Sequence, residues 1–275
     1  TTGGLMKVYS GVGFVALKTQ AMVYPVIFSG LEFSKLSRIR DMMNSRWFPA
    51  VSIYVDQPLQ IKGEDNQRYG SRKEEVNNSI LEALQQAKFR AKYKNENMNL
   101  FNKLLEAGKL HGMKKSMAQD AMAAVTYGKG IVSAYVLGRK FSDTFSEEET
   151  IGVLLPNSVG HLLTLFALFW LNKRPAILNF TAGVQNNLDC AKLAGVKSII
   201  TSRLFIEKAN LQETAKALGD QYRMVYLEDM RKGISMWDKL AGYIAFRLGK
   251  KAKANENTNI VLFTSGSESK PKGVV

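Results

Sequence analysis

The stretch Ile260-Val-Leu-Phe-Thr-Ser-Gly-Ser-Glu-Ser-Lys-Pro-Lys-Gly-Val-Val275 decides how the rest of this sequence is read. Its apolar start, Ile260 to Phe263, predicts a buried strand that empties into Thr264, Ser265, Gly266 and Ser267. Small side chains there leave backbone amides and hydroxyls to surround an anion, as a phosphate cradle requires. Lys270 and Lys272 follow within reach of the same anion, with Pro271 stiffening the loop between them and Gly273 relaxing it. Five residues after Gly266 stands Pro271, where a Walker loop needs Gly-Lys-Ser/Thr, so that class of nucleotide binder is excluded. The plain alternative is a Ser/Gly/Lys surface loop with no ligand.

Upstream of this tail, from Thr150, the pattern is regular. Strands are expected at Ile151–Leu155, Ala176–Leu178, Ser198–Ile200 and Arg223–Leu227, separated by helices at Gly160–Leu171, Val184–Ala194 and Leu204–Leu218. Alternation of this kind predicts an α/β fold with a parallel sheet covered on both faces, and the tail at its edge. A tail running through an antiparallel sheet, or buried with no room for an anion, would count against that placement and against the nucleotide chemistry read from it. Leu154-Leu-Pro-Asn-Ser158 and Asn179-Phe-Thr-Ala-Gly183 read as turns, for which Pro, Asn and Gly suffice without any catalytic role.

Before this region, residues 95–140 read as a basic helical linker and lead-in helix. Its amphipathic pieces are Leu100–Leu110 and Met117–Leu137, the second with a small-residue face of Ala121, Ala124, Val125, Gly128 and Val132. A domain boundary is expected where polarity peaks, between Lys94 and Asn99, dividing residues 1–94 from the linker and from residues 141–275. In the first section, Ala21–Gly30 reads as a proline-containing strand and Val51–Val55 as a second one. Arg68–Lys92 reads as a helix carrying Val76, Ile80, Leu84 and Ala87 on one face.

Composition sets the bounds. The 275 residues, 45% of them apolar, suffice for one large or two small domains. Cys190, the single cysteine, excludes an internal disulfide framework and reads as inert packing. The formal charge of +14 gathers at Lys88, Arg90, Lys92 and Lys94, at Lys103, Lys109, Lys114 and Lys115, and at Arg247, Lys250, Lys251 and Lys253. No zinc spacing, RNA-binding signature or basic coiled coil accompanies these charges, so no nucleic acid is expected; an anionic membrane surface or an acidic carrier protein explains them as well, and so does a solvated basic face. Leu162–Leu171 spans about half of what a bilayer requires and reads as a buried core helix. With no initiator methionine or secretory signal at Thr1, the chain is expected to be an excised piece.

Phe263-Thr-Ser-Gly-Ser-Glu-Ser-Lys-Pro-Lys-Gly273 resembles the signature loop of adenylate-forming enzymes, the acyl-CoA synthetase and luciferase superfamily, except that Ser269 stands where glycine is usual. This resemblance implies Thr264, Ser265, Gly266, Ser267, Lys272 and Gly273 as nucleotide-phosphate contacts, Lys270 being more variable, and ATP with Mg2+ as cofactors. The metal ligand, the adenine and acyl pockets and the lid lysine are expected beyond Val275. Thr1-Thr-Gly-Gly-Leu-Met-Lys7 and the strand motif Tyr24-Pro25-Val26 resemble the C-terminal part of a lysophospholipid acyltransferase domain. That family uses a His-x4-Asp pair, but Ser116 stands five residues after His111 and Phe166 five after His161, so no catalytic residue is assigned within this chain.

The order of the two resemblances, with Tyr226-Leu-Glu-Asp229, is similar to the bacterial bifunctional acylglycerophosphoethanolamine acyltransferase and acyl-acyl-carrier-protein synthetase family. It implies a fold made of a partial acyltransferase-like α/β domain followed by the first parallel βαβ part of an adenylate-forming domain. Fatty acid, acyl carrier protein and lysophospholipid are the implied partners, at the cytoplasmic face of the bacterial inner membrane. The alternative is a basic membrane- or carrier-binding module without catalysis.

Overall fold

The computed structural model describes residues 10–61, 69–93, 99–253, 259–265 and 271–274. The expected boundary at Lys94–Asn99 falls almost entirely outside them. The chain divides into two compact units, Thr1–Glu96 and Asn97–Val275.

The first unit contains α1 (Ser10–Thr19), β1 (Met22–Val23), β2 (Val26–Ser29), β3 (Ser52–Val55), β4 (Leu59–Gln60) and α2 (Tyr69–Tyr93). The strand expected over Ala21–Gly30 is two short strands, broken at Tyr24-Pro25 because proline has no amide to give a ladder. Pro25 instead accepts, through its carbonyl, from the Asp56 amide at 2.9 Å. β2 pairs antiparallel with β3, with Val26 opposite Val55 and Phe28 opposite Ile53. Helix α2 buries Val76, Ile80 and Ala87 as its spacing predicts, the first two against Ala16 of α1 and Ile61. Helix α1 has no counterpart in the sequence reading.

The second unit opens with α3 (Leu100–His111), β5 (Ser116–Gln119), β6 (Ala124–Thr126) and α4 (Tyr127–Thr144). The helix expected from Met117 therefore begins only at Tyr127. Asp120 prevents an earlier start: its Oδ1 accepts the Met122 and Ala123 amides at 2.7 Å each, closing a hairpin, and Thr126 then caps α4 through the Lys129 amide. Alternation follows as expected: β7 (Thr150–Val153), α5 (Val159–Trp170), β8 (Arg174–Ile177), α6 (Val184–Leu193), β9 (Ser198–Thr201), α7 (Arg203–Lys208), α8 (Gln212–Gly219), β10 (Arg223–Tyr226), α9 (Leu227–Lys232) and α10 (Met236–Arg247). The single helix expected over Leu204–Leu218 is two, because Asn210 adopts a left-handed φ of 53° and ends the first.

β10, β9, β7 and β8 form a parallel sheet in that order. Ile151, Val153, Ile200 and Val225 pack with Phe141, Ala167 and Leu168 of α4 and α5. Leu154, Ala176 and Ile199 pack on the opposite face with Ala191, Ile206 and Leu218 of α6, α7 and α8. Covering both faces lets β9, Ser198-Ile-Ile-Thr201, be buried throughout. Helix α5 is the core helix expected, and no helix among the described residues is long and apolar enough to cross a membrane.

The tail extends this sheet and then leaves it. Val261 bridges Ala176 of β8 in the parallel sense, donating to the Pro175 carbonyl at 2.9 Å and accepting from the Ile177 amide at 3.0 Å. β11 (Leu262–Ser265) then turns back as β12 (Pro271–Val274), an antiparallel hairpin. The parallel-edge expectation thus holds at Val261 and fails beyond it. Only Val261 of the expected buried strand is buried, since a hairpin hung on a sheet edge has one face on the core and one open.

Candidate functional site

The expected phosphate residues Thr264, Ser265, Lys272 and Gly273 lie on paired strands rather than in a loop; Gly266, Ser267, Ser269 and Lys270 lie outside the described residues. Thr264 stands opposite Lys272 and Phe263 opposite Gly273. Cross-strand partners share a face, so the hairpin has two different sides. Phe263 packs against the α6–α8 core, and a methyl group at Gly273 would meet Leu193 at 3.6 Å. Leu262, Thr264, Lys272 and Val274 form the other side and are exposed. A hydroxyl and an ammonium therefore stand next to each other on open strand, at the end of a strand running parallel with β8 toward the carboxyl ends of the sheet.

Those carboxyl ends carry further polar groups. β7 leads to α5 and on to β8, whereas β9 leads the opposite way to β10, so the strand order reverses between β7 and β9, where open sheets of this kind form a crevice. Here the gap is tied: the Thr201 hydroxyl donates to the Leu154 carbonyl at 2.8 Å. The α5 N-terminus beside it is occupied as well, Ser158 accepting the His161 amide at 3.2 Å and Asp120 Oδ2 accepting the Val159 amide at 2.7 Å. That amide, followed by those of Met122 and Ala123, holds the Asp120 carboxyl below its ordinary pKa. His161 directs Nδ1 at the Pro156 carbonyl, 3.2 Å away, while Nε2 is buried with no partner among the described residues. Burial pushes its pKa down and the Pro156 contact only partly opposes this, so the ring is neutral near pH 7.

Past β9 and β10, Arg203 makes a bidentate pair with Asp229, at 2.8 and 2.7 Å, and lies over the Tyr226 ring at 3.9 Å. Ser202 donates to Glu228 at 2.7 Å. Burial pushes the Glu228 carboxyl up but is outweighed by its hydrogen bonds, which leave it below its ordinary pKa; the Arg203 hydrogen bond holds Asp229 down more directly. Sequence reasoning named Tyr226-Leu-Glu-Asp229 only as part of a resemblance, although two carboxylates directly after a strand were a signal for this joint. A cavity of about 620 Å³ opens beside it, lined by Arg203, Ile206, Lys216, Met224 and Tyr226, at the opposite end of the strand order from the hairpin.

The remaining candidates are structural in their contacts. In the Asn179 turn, Asn179 accepts from Thr181 and Asn187 donates to the Asn179 and Gly183 carbonyls, which is turn chemistry. Cys190 is buried, and burial raises its pKa. In the first unit Tyr24 and Val26 are exposed and Pro25 is buried. Arg90, counted among the basic clusters, pairs with buried Asp56 at 2.8 Å. Burial pushes the Asp56 carboxyl up, while the Gln57 amide and Arg90 prevail and hold it down.

Residues 144–275 match the model of the family described as AMP-binding enzyme. Solved structures similar to the chain include VinN in complex with L-aspartate (18% identity, 63% of this chain and 46% of that one, TM-score 0.49). O-succinylbenzoate Coenzyme A Synthetase (MenE) from Bacillus subtilis, in complex with AMP, is 15% identical over 62% of this chain and 40% of that one, TM-score 0.47. The Klebsiella oxytoca NpsA N-terminal subdomain is 12% identical over 64% and 40%, TM-score 0.46. The chain spans less than half the length of each of these. The match to the AMP-binding enzyme model covers the parallel sheet with its terminal hairpin, just under half of the chain.

Proposed function

We propose that the second unit supplies the phosphate-holding part of an adenylating site that activates a fatty acid with ATP. A carboxylate oxygen forms a bond to the α-phosphorus as the bond to pyrophosphate breaks, giving acyl-AMP and pyrophosphate. Negative charge grows on the departing oxygens, and fixed donors aimed at it lower the barrier. The observation that carries this reading is the register of the hairpin, which sets Thr264 beside Lys272 on an open face within the matched region. Lys272 supplies a charge and Thr264 a hydroxyl; Ser265, Gly266, Ser267 and Gly273 complete the set that the resemblance implies. AMP-binding enzymes in general use Mg2+ with ATP, and a bound ion would offset charge on the phosphates. Among the described residues no group of three or more His, Cys, Asp or Glu side chains is placed to hold a metal.

The finer reading adds two further roles for the whole protein. The acyl group passes to the thiol of an acyl carrier protein, and a lysophospholipid such as 2-acylglycerophosphoethanolamine then receives it at the cytoplasmic face of the bacterial inner membrane. Residues 1–94 are the later part of the acyltransferase domain in this reading, supported by the likeness of Thr1–Lys7 and Tyr24-Pro25-Val26 to that family. Fatty-acid-dependent ATP–pyrophosphate exchange by the whole protein tests the proposal. Lys272→Ala is expected to lower the rate by roughly 10²–10³. An unchanged rate in that variant overturns it.

A further inference from the structure

Helix α10 turns one side inward and another outward, and the two differ in kind. On the inner side Gly242 sits so close to Val136 of α4 that a methyl group there would meet its Cγ2 at 2.5 Å, and Phe246 packs with the cluster around Phe101 and Tyr135. Asp238 is buried, accepts the Lys140 ammonium at 2.9 Å and closes a capping box with Ser235. The Lys140 hydrogen bond, with those from Ser235, holds its carboxyl well below the usual range. On the outer side Met236, Trp237, Leu240, Tyr243, Ile244 and Leu248 recur at helical spacing and are all exposed, Trp237 and Leu248 each to 77%.

A soluble helix normally keeps such residues inside, and a contiguous outward stripe marks a surface that meets something apolar. Its surroundings indicate what. Lys239, Arg247, Lys250, Lys251 and Lys253 are exposed along the same helix and the segment after it. Between Ser235 and Lys253 the only acidic residue is Asp238, which is turned inward. From Ser235 to Lys253 the described surface is therefore apolar and cationic, with no exposed carboxylate of its own. An acyl boundary beneath anionic headgroups complements both properties, and Trp and Tyr are the side chains that settle at that depth.

We propose that α10 lies in the plane of an anionic lipid surface, with Trp237, Leu240 and Ile244 inserted at the headgroup–acyl boundary and Lys250, Lys251 and Lys253 against the headgroups. The proposal needs neither the hairpin nor adenylation, so either reading stands if the other fails. Of the basic clusters, the proposal uses Arg247, Lys250, Lys251 and Lys253; Arg90 of the first cluster is engaged by Asp56.

The test is sedimentation of the protein with sucrose-loaded vesicles of phosphatidylcholine alone or with one-third phosphatidylglycerol. The expected result is binding to the anionic vesicles only. Trp237→Ser combined with Leu240→Ser is expected to abolish it, and Lys250→Glu, Lys251→Glu and Lys253→Glu together to weaken it on the order of 100-fold. Tryptophan quenching by brominated lipid is expected to fall in Trp237→Phe. All these positions are exposed, and melting curves of the variants establish that they fold. Absence of binding to anionic vesicles overturns the proposal, as does binding that is unchanged in both sets of variants. So does capture by an acidic carrier protein, or self-association, that depends on the stripe while vesicle binding does not.

Discussion

Two of the sheets in this chain are built from similar residues and end in different states. β2 is Val-Ile-Phe-Ser and β9 is Ser-Ile-Ile-Thr, yet β9 is buried at every position while β2 buries only Ile27. The difference lies in what covers them. β9 has helices on both faces, and each strand beside it is held by crossovers that return over the sheet. β2 and β3 form a two-stranded ribbon, whose paired residues Val26 and Val55, and Phe28 and Ile53, are open to solvent. Apolar composition thus signals strand in both cases but reports burial only where the alternation of strand and helix supplies a second layer.

The largest expected effect follows from this contrast. Leu168, fully buried under the sheet, is expected to cost about 2–5 kcal/mol when changed to Ala, whereas Phe28→Ala on the open ribbon stays within about 0.5 kcal/mol. Urea unfolding of both variants checks it, and equal costs break the comparison. A smaller effect separates two glycines of α4. A methyl group at Gly138 runs into the Trp170 ring of α5, so Gly138→Ala is expected to cost about 1–3 kcal/mol. At Gly130 the obstacle is the flexible end of Met117, so Gly130→Ala is expected to change stability by less than about 1 kcal/mol, helix propensity favouring the alanine.

The smallest effect concerns pH. His161 has a pKa depressed below its ordinary 6.5, so the native state binds fewer protons than the unfolded chain. Its contribution to stability is present above that value and is lost as pH falls below it. Melting temperatures between pH 7.5 and 5.5 are expected to fall less steeply in His161→Gln than in the parent protein; an equal slope removes His161 as the source.

Much of the second unit was legible because parallel strands buried on both faces read as short apolar runs, and Ile151–Leu155 and Ser198–Ile200 fall on β7 and β9 within two residues. The failures have local causes. Asp120 intercepts three amides and converts the start of an expected helix into a hairpin. Asn210 divides another helix through its own backbone. Helix α10 was left unassigned although its start was legible: Met236, Trp237, Leu240, Tyr243 and Ile244 recur at helical spacing, and Ser235 and Asp238 spell a capping box. For the candidate site, composition indicated Thr264 and Lys272, but only the pairing register puts them side by side on one open face.

Asp120 also settles the state of the α5 N-terminus. The positive pole of α5 is the natural anchor for an anion at the reversal of strand order, yet the chain has installed its own carboxylate there. The α5 terminus is therefore satisfied from within, and an external anion would have to displace the Asp120 carboxylate to reach its first amide.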